Sequence, residues 1–173
     1  MAQQRLAAAL GRSEGSLRLV KPDQIHLTLL FLGQVPETRV PELVEAMNAE
    51  LRLPAFEVAF GGAGVFPPRG APRVLWIGVT AGAASLVSLQ RAIAGRIGRL
   101  GIAFDDRPFH PHLTIGRWRE ARSSIRVKFP AAAQRVEVAR VHVDGATLYR
   151  SHLSPAGAAY RALAHATLTQ AWP

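Results

Sequence analysis

The segment IHLTLLFLG, residues 25–33, carries one histidine and one threonine, two positions apart, within an otherwise apolar run. The segment FHPHLTIGRW, residues 109–118, repeats this core as His112-Leu113-Thr114, 86 residues after His26. The six histidines and seven threonines of the chain would form about a quarter of one His-x-Thr pair by chance. The repeat therefore indicates a shared structural or chemical role.

Both segments are predicted to be β-strands, because they are short, apolar and bounded by turn residues. Alternate side chains of a strand point to opposite faces, so His26 shares a face with Thr28, and His112 shares a face with Thr114. If the two halves of the chain pair about a pseudo-twofold axis, two imidazoles and two hydroxyls converge in one cleft. Such a set can accept a proton, donate a proton and donate hydrogen bonds to a tetrahedral anion.

The remaining sequence alternates predicted helices with predicted strands. Apolar residues recur at helical spacing over residues 36–52 and 85–101, and Gly101 ends the second of these helices. The tail, residues 155–170, is ambiguous, because its alanines favour a helix while its other residues do not decide the period. A short helix is predicted at 4–10, a loop at 61–72, and further strands at 17–20, 55–60, 73–80, 135–143 and 146–151, the last two turning at 144–145.

Each half of the chain thus has a helix between strands and one motif, which indicates an internal duplication. The predicted fold class is α+β. A single bilobal domain over residues 1–173 is expected, in which a pseudo-twofold duplication arranges two antiparallel sheets around a central cleft. The helices pack on the outside.

The composition excludes several classes of protein. Cysteine is absent, which excludes disulfides, thiolate zinc sites and a cysteine nucleophile. No apolar run approaches the ~18 residues of a membrane-spanning helix, so a cytoplasmic protein without a membrane partner is expected. The net charge of +9 depends on arginine, since Lys21 and Lys128 are the only lysines. Arginine binds phosphate bidentately and stacks on bases, so the charge indicates either an RNA partner or coding bias.

A third His-x-Thr pair, His165-Ala166-Thr167, lies in the alanine-rich tail. It lacks the apolar, turn-bounded flanks of the other two pairs. A structural role is therefore predicted for His165, and a chemical role for His26 and His112 as a pair.

Two kinds of chemistry can use such a pair of histidines. A metal site needs a further ligand, and Asp105 and Asp106 precede His112 closely in sequence, so this reading stays open. Concerted acid–base chemistry on a phosphodiester needs only the residues already present. An imidazole titrates near pH ~6.5, so one ring can be neutral while its partner is protonated.

At these residues the chain resembles the two-histidine (2H) phosphoesterases, and more closely the bacterial RNA 2',3'-cyclic phosphodiesterases, also called 2'-5' RNA ligases. That family is defined by two H-x-T-x motifs, matched here by residues 26–29 and 112–115. The further similarities cover nearly the whole chain in order. They are FLG at 31–33, PRVLW at 72–76, F-x-PHLT-x-x-R at 109–117 and L-x-x-S-x-L-x-P-x-G-x-x-Y at 148–160.

This resemblance implies a bilobal α+β fold with a central cleft, and a strand in the ambiguous tail. It implies RNA processing: hydrolysis of RNA ends that carry a 2',3'-cyclic phosphate, tRNA fragments among them, to 2'-phosphate ends. Reverse 2'-5' RNA ligation is then a side activity. No cofactor and no metal are implied, and a monomer is expected.

The resemblance also implies roles for the motif residues. His112 is the base that activates water, and His26 is the acid that protonates the departing 3'-oxygen. The near-symmetric pair permits the reverse order, so this orientation follows the family. Thr28 and Thr114 donate hydrogen bonds to the nonbridging oxygens as charge builds there.

Two further substrate contacts are expected. Arg117 matches the family's arginine position and is assigned as the phosphate clamp. Phe31 is assigned to stack on the terminal base, although strict alternation turns it away from His26 unless the strand kinks near Gly33. Trp76 is expected in the core.

Roles are also expected for other polar residues. His110 is expected to shape a turn, and His142 and His152 to be structural or exposed. A cluster of arginines after the second motif either tracks the RNA backbone or belongs to an exposed polar loop. It comprises Arg119, Arg122 and Arg126.

The alternative from another functional class is a non-catalytic module of the same fold that binds an RNA end or a phosphate without turnover. The intact histidines and threonines argue against it.

Overall fold

The structure, a computed structural model, describes residues 17–120, 137–154 and 157–169. The predicted helix at 4–10 lies outside the described residues, as do Arg122 and Arg126. Within them are two α-helices and two short 3₁₀ helices, Pro22–Gln24 and Glu37–Arg39. The α-helices are α1 (Val40–Asn48) and α2 (Ala83–Arg99), and the strands are β1 (Leu17–Leu19), β2 (Leu51–Pro54), β3 (Phe56–Phe66), β4 (Val74–Ala81), β5 (Leu113–Trp118), β6 (Glu137–Val143), β7 (Gly145–Ser154) and β8 (Gly157–Thr169).

The strands form two sheets, with the orders β1-β5-β4-β3-β6 and β2-β8-β7. Antiparallel pairing joins β1 to β5, β5 to β4, β4 to β3, and β7 to β8. The short strand β2 instead runs parallel to β8, so the smaller sheet is mixed rather than wholly antiparallel. With two sheets and two helices, the predicted α+β class is confirmed. No described helix is long and apolar enough to span a membrane.

The chain forms two compact units, each built from several segments. Of the described residues, 17–28, 58–83, 110–120 and 137–141 belong to the first unit, and the others belong to the second. An internal duplication predicts one His-x-Thr motif in each lobe. Both predicted motifs lie in the first unit instead, because each unit interleaves segments from both halves of the chain.

The five-stranded sheet has one apolar face and one face that carries the motif side chains. Leu75 and Ile77 of β4 and Ile115 and Trp118 of β5 are buried on the apolar face. A register shift between β4 and β5 at Leu75 adds one residue to β5, so the two strands keep matching faces on either side of it. Because this face supplies the buried contacts, the opposite face of β4 and β5 can carry polar side chains.

In the second unit, α2 confirms its predicted apolar stripe. Leu89, Ile93 and Ile97 are buried in one cluster with residues of α1 and β8. The helix ends before Gly101, whose φ of 68° lies in the left-handed region that glycine adopts without a steric cost. Spacing along the sequence was enough to predict this element.

Helix α1 is shorter than predicted. The apolar spacing extends to residue 52, but the helix ends at Asn48 and Leu51 begins β2. Leu51 is buried as the partner of Leu168 in β8. Pairing with a strand that is distant in sequence therefore overrides the helical period at this point.

Strand β3 is longer than predicted. Residues 61–66 were expected in a loop because they are rich in glycine, but they continue the strand to Phe66. The register with β4 shifts between Gly61 and Ala63, and Gly62 has a φ of 65°, which marks a bulge. These glycines allow a bend and a close approach within the strand rather than ending it.

The tail is a strand, as the family resemblance implied. β8 buries Ala164, Ala166 and Leu168 at alternate positions and pairs with β7 over nearly its whole length. The chain turns between β6 and β7 at Asp144 as expected, but these two strands belong to different sheets. Only cross-strand pairing could decide between helix and strand in this alanine-rich segment.

Candidate active site

The two predicted His-x-Thr motifs lie side by side in the first unit. Leu27 and Leu113, their central residues, form an isolated antiparallel bridge. In this register the histidine of each motif lies opposite the threonine of the other, and all four polar side chains point away from the leucines. Directly opposed Cβ atoms are ~4.5–5.5 Å apart and diagonal neighbours about 7–8 Å. The backbone positions of the two histidines are diagonal neighbours, a spacing from which two imidazoles can reach a single tetrahedral anion.

The predicted strand at 25–33 is wrong outside this bridge. Leu29, Leu30 and Leu32 instead pack against the apolar cluster of the second unit. The carbonyl oxygen of Phe31 accepts a hydrogen bond from the backbone N–H of Asp105 at 2.9 Å. The first motif therefore lies at a point where the chain leaves the sheet.

Each motif histidine is held by a backbone carbonyl two residues earlier. His26 Nδ1 lies 2.8 Å from the carbonyl oxygen of Gln24, and His112 Nδ1 lies 2.7 Å from that of His110. A carbonyl oxygen can only accept, so Nδ1 must carry the proton in both rings. Nε2 is then the atom that accepts a proton when the ring is neutral and donates one when it is charged.

Prolines shape the backbone that presents these carbonyls. Pro22 begins the 3₁₀ helix that ends at Gln24, and Pro111 separates His110 from His112. Proline fixes its own φ and restricts the residue before it, so Pro111 limits the backbone of His110, and the 3₁₀ helix that Pro22 begins places the Gln24 carbonyl. Residues 108–112 lie in no turn, so the turn predicted at His110 is wrong, but the His110 carbonyl accepts a hydrogen bond from the neighbouring His112 imidazole.

The two threonines differ in their surroundings. Thr114 lies within β5, is partly buried and faces Trp76 in the β4–β5 register. Thr28 is exposed and follows the isolated bridge. Both hydroxyls stand on the face that carries the imidazoles, where they can donate hydrogen bonds to a bound anion. The set contains the groups for proton transfer in both directions and for anion binding.

Two aromatic side chains lie against His112, Phe66 and Trp76; Trp76, expected in the core, is only partly buried. Phe66 of β3 contacts the imidazole edge to face, with ring centroids 5.1 Å apart. Trp76 lies with its ring centroid 6.4 Å from that of His112 and 5.3 Å from that of Phe66. Together with the carbonyl of His110, these rings restrict the orientation of the His112 imidazole.

Gly64 provides the space for the Trp76 indole. A Cβ atom at residue 64 would lie 2.0 Å from Cζ2 of the indole, far closer than two carbon atoms approach. A Cβ atom at Gly78 would also lie 3.3 Å from the same ring. The indole Nε1 is buried and has no hydrogen-bond partner among the described residues. Gly64 lies opposite Trp76 in the β3–β4 register. The sequence contains both residues, but it does not show that they are opposed.

Arg117 lies on the same face of the sheet as the motif threonine Thr114. It faces Val74 of β4, and Val74 in turn faces Phe66 of β3. Opposed residues share a face, so the guanidinium of Arg117 and the ring of Phe66 extend from the same side. Arg117 is exposed. The predicted phosphate clamp is therefore available to an anion on this face.

Phe31 belongs to the second unit, and its side chain is 63 % exposed. The alternation argument against a role for Phe31 does not apply, because residues 29–33 form no strand. Stacking of a base on this ring stays a prediction.

The third His-x-Thr pair lies in the second unit within β8. His165 is exposed, and its Nδ1 lies 2.8 Å from the hydroxyl of Thr147 on β7. A hydroxyl both donates and accepts, so this contact does not decide which ring nitrogen of His165 carries the proton.

The carboxylates considered for a metal site have other surroundings. Asp105 accepts hydrogen bonds from the guanidinium of Arg107, which lower the pKa of that carboxyl to about 2. Asp106 is exposed. Within residues 17–120, 137–154 and 157–169, no group of three or more histidine or carboxylate side chains is arranged to hold a metal ion.

The other polar candidates lie apart from these contacts. Arg119 is exposed. His142 pairs with Glu57 through Nδ1 at 2.8 Å, and His152 is exposed, as expected.

Comparison with known proteins assigns the chain to a family. The model of the 2'-5' RNA ligase superfamily matches residues 4–155. A protein of Aeropyrum pernix named RNA 2',3'-cyclic phosphodiesterase is 31% identical over 92% of this chain and 90% of its own length. A Thermus thermophilus protein of the same name is 35% identical over 83% of this chain and 72% of its own length.

Solved structures share the fold. The crystal structure of TT0787 of Thermus thermophilus superposes with a TM-score of 0.75 at 29% identity, covering 97% of this chain and 92% of the other. Escherichia coli LigT, crystallised in complex with 3'-AMP, gives a TM-score of 0.71 at 26% identity, covering 98% and 92% of the two chains. Fold, sequence and motif pairing thus agree, and the chain belongs to the 2'-5' RNA ligase superfamily as one of its phosphoesterases.

Proposed function

We propose that this enzyme hydrolyses RNA 2',3'-cyclic phosphate ends to 2'-phosphate ends by metal-independent acid–base catalysis with His26 and His112. The observation that carries the proposal is the bridge between Leu27 and Leu113, which pairs the two motifs on one face. The relatives named RNA 2',3'-cyclic phosphodiesterases support the choice of substrate. A nearly symmetric pair of histidines suits a reaction that needs one base and one acid.

In the proposed reaction, Nε2 of His112 takes a proton from water, and the resulting hydroxide attacks phosphorus. The bond between phosphorus and the 3'-oxygen breaks, and Nε2 of His26 gives its proton to that oxygen. Atoms balance as one water consumed, one 3'-hydroxyl formed and one 2'-phosphate left. Proton exchange with solvent then restores both rings.

The choice of His112 as base follows the family. Both rings have the same carbonyl contact at Nδ1, so their local geometry permits either order. The Phe66 and Trp76 rings lie beside His112.

Thr28 and Thr114 donate hydrogen bonds to the nonbridging oxygens in this proposal, and Arg117 binds the same phosphate. Hydrogen bonds to a group that gains charge in the transition state lower the barrier more than they lower the ground state. Phe31 stacks on the terminal base. With a 5'-hydroxyl in place of water as the nucleophile, the same groups join RNA ends through a 2'-5' linkage and release the 3'-hydroxyl.

The test is incubation with a nucleoside 2',3'-cyclic phosphate in excess EDTA, followed by phosphorus NMR. Continued hydrolysis to the 2'-phosphate is expected. Loss of activity on chelation would favour the metal reading, and a 3'-phosphate product would contradict the assignment of the leaving group. Binding without turnover would favour the non-catalytic module.

A further inference from the structure

Arg18 of β1 lies directly opposite Arg117 of β5 in the antiparallel register. Its neighbours Leu17 and Leu19 face the other way, since a Cβ atom at Gly116 would lie 2.9 Å from Cδ1 of Leu17 and 3.5 Å from Cδ2 of Leu19. Alternation along β1 therefore puts Arg18 on the opposite face from the leucines. That is the face of Arg117 and Thr114.

The two arginines begin a row of side chains that crosses four strands on this face. The register continues from Arg117 to Val74 and from Val74 to Phe66. The adjacent row consists of Thr114, Trp76 and Gly64, and so belongs to the candidate active site. Two residues of a regular strand span about 6.6 Å, which is comparable to the spacing of neighbouring phosphates in a single strand of RNA.

Both arginine side chains are exposed, so a phosphate can reach them from solvent. Arginine binds the oxygens of a phosphate in a bidentate geometry.

We propose that Arg18 forms a subsite for the internucleotide phosphate of RNA that precedes the reacting end, next to Arg117 at the cyclic phosphate. This inference rests on the proposed function and extends it to the length of the substrate. Arg18 contacts only substrates that have a phosphodiester preceding the terminal nucleotide. The enzyme then acts more efficiently on oligonucleotides than on cyclic mononucleotides, and Arg18 is responsible for a part of that preference.

The experiment compares kcat/KM for a nucleoside 2',3'-cyclic phosphate and for a short oligoribonucleotide that ends in a 2',3'-cyclic phosphate. The variants are Arg18→Gln, Arg18→Lys and Arg91→Gln. Arg91 is an exposed arginine on α2 in the second unit and serves as the charge-matched control. Circular dichroism confirms that each variant is folded.

For Arg18→Gln, kcat/KM is expected to fall about tenfold on the oligonucleotide and to stay unchanged on the mononucleotide. The slope of log(kcat/KM) against log[salt] for the oligonucleotide should become shallower by about 0.7, the value for one phosphate contact in a single strand. Arg18→Lys keeps the charge and therefore the salt slope, but loses the bidentate geometry. Arg91→Gln should match the wild type on both substrates.

Equal losses on both substrates, or no loss on either, would overturn the inference. Self-association of Arg18→Gln with unchanged activity would also overturn the inference. The role of the Arg18 charge would then be to prevent strand β1 from pairing with the same strand of another molecule. Wild-type turnover of the mononucleotide tests the proposed function separately. If that turnover is absent, fluorescence anisotropy with a 3'-phosphorylated oligoribonucleotide decides the subsite, and equal affinity of Arg18→Gln and wild type contradicts it.

Discussion

The paired motifs at residues 26–28 and 112–114 share their His-x-Thr pattern with residues 165–167, but the surroundings differ. His26 and His112 each direct Nδ1 at a carbonyl oxygen, whereas His165 directs Nδ1 at the hydroxyl of Thr147. The carbonyl decides which nitrogen carries the proton, and the hydroxyl does not. The tripeptide pattern alone is therefore a weak signature, and the carbonyl contact at Nδ1 distinguishes His26 and His112 from His165.

The largest effect should come from removing the histidines themselves. His26→Ala and His112→Ala are each expected to lower kcat by about 10²–10⁴-fold, because each removes a positioned acid or base. His165→Ala is the matched control and should keep wild-type kcat. Assays with a nucleoside 2',3'-cyclic phosphate measure all three, and a loss of comparable size in His165→Ala would break the comparison.

Removing one hydroxyl from the paired motifs should have a smaller effect. Thr28→Val and Thr114→Val keep the shape of the side chain but remove a donor, so kcat is expected to fall by about tenfold to a hundredfold. This corresponds to ~1.5–3 kcal/mol for a hydrogen bond to a charged group. Thr167→Val makes the same change in the third pair. Its kcat should be unaffected, and an equal loss there would show that a threonine contributes through folding.

Two glycines allow the comparison to be tested without changing a polar group. A Cβ atom at Gly64 would clash with the Trp76 ring beside His112, and one at Gly145 would lie 2.4 Å from Nε2 of His165. Both Gly64→Ala and Gly145→Ala should lower the free energy of unfolding by about 1–3 kcal/mol, because both overpack their sites.

Only Gly64→Ala should also lower kcat, by several-fold, because it displaces the indole that restricts the His112 ring. Denaturant unfolding and steady-state kinetics at a temperature where both variants are folded separate the two effects. A similar loss of kcat in Gly145→Ala would mean that general loosening, rather than the position of the imidazole, limits the rate.

The smallest effect on kcat is expected at Asp105, the carboxylate considered as a metal ligand. If Asp105 held a metal ion, activity would not depend on the paired histidines alone. Asp105→Asn should leave kcat unchanged with and without EDTA. The pKa of the Asp105 carboxyl, about 2, lies below its usual value of 3.8 because Arg107 donates hydrogen bonds to it. A depressed folded-state pKa contributes stability above pH 3.8 that is lost as the pH falls towards 2.

In Arg107→Gln, the Asp105 pKa should therefore rise towards 3.8. An NMR titration of the side-chain carboxyl measures it. An unchanged pKa would show that Arg107 is not the cause of the shift.

Local patterns predicted much of the fold. The apolar stripe of α2 and the alternation in β4 follow from spacing over a few residues, and both elements form where they were predicted. The end of α1, the length of β3 and the strand in the tail depend on partners far along the chain. Leu51 illustrates this, since its spacing fits a helix while its pairing with Leu168 makes it a strand residue.

The sequence by itself determined which residues form the repeated pair, because the H-x-T repeat and its apolar flanks are local features. Only the tertiary structure decided that Leu27 pairs with Leu113, that both motifs belong to one unit, and that Phe66, Trp76 and Arg18 join their face. The physical reason is that the register between two strands decides which of their side chains lie on the same face. Register is set by contacts between residues that are tens of positions apart, and a one-residue slip would move every side chain to the other face.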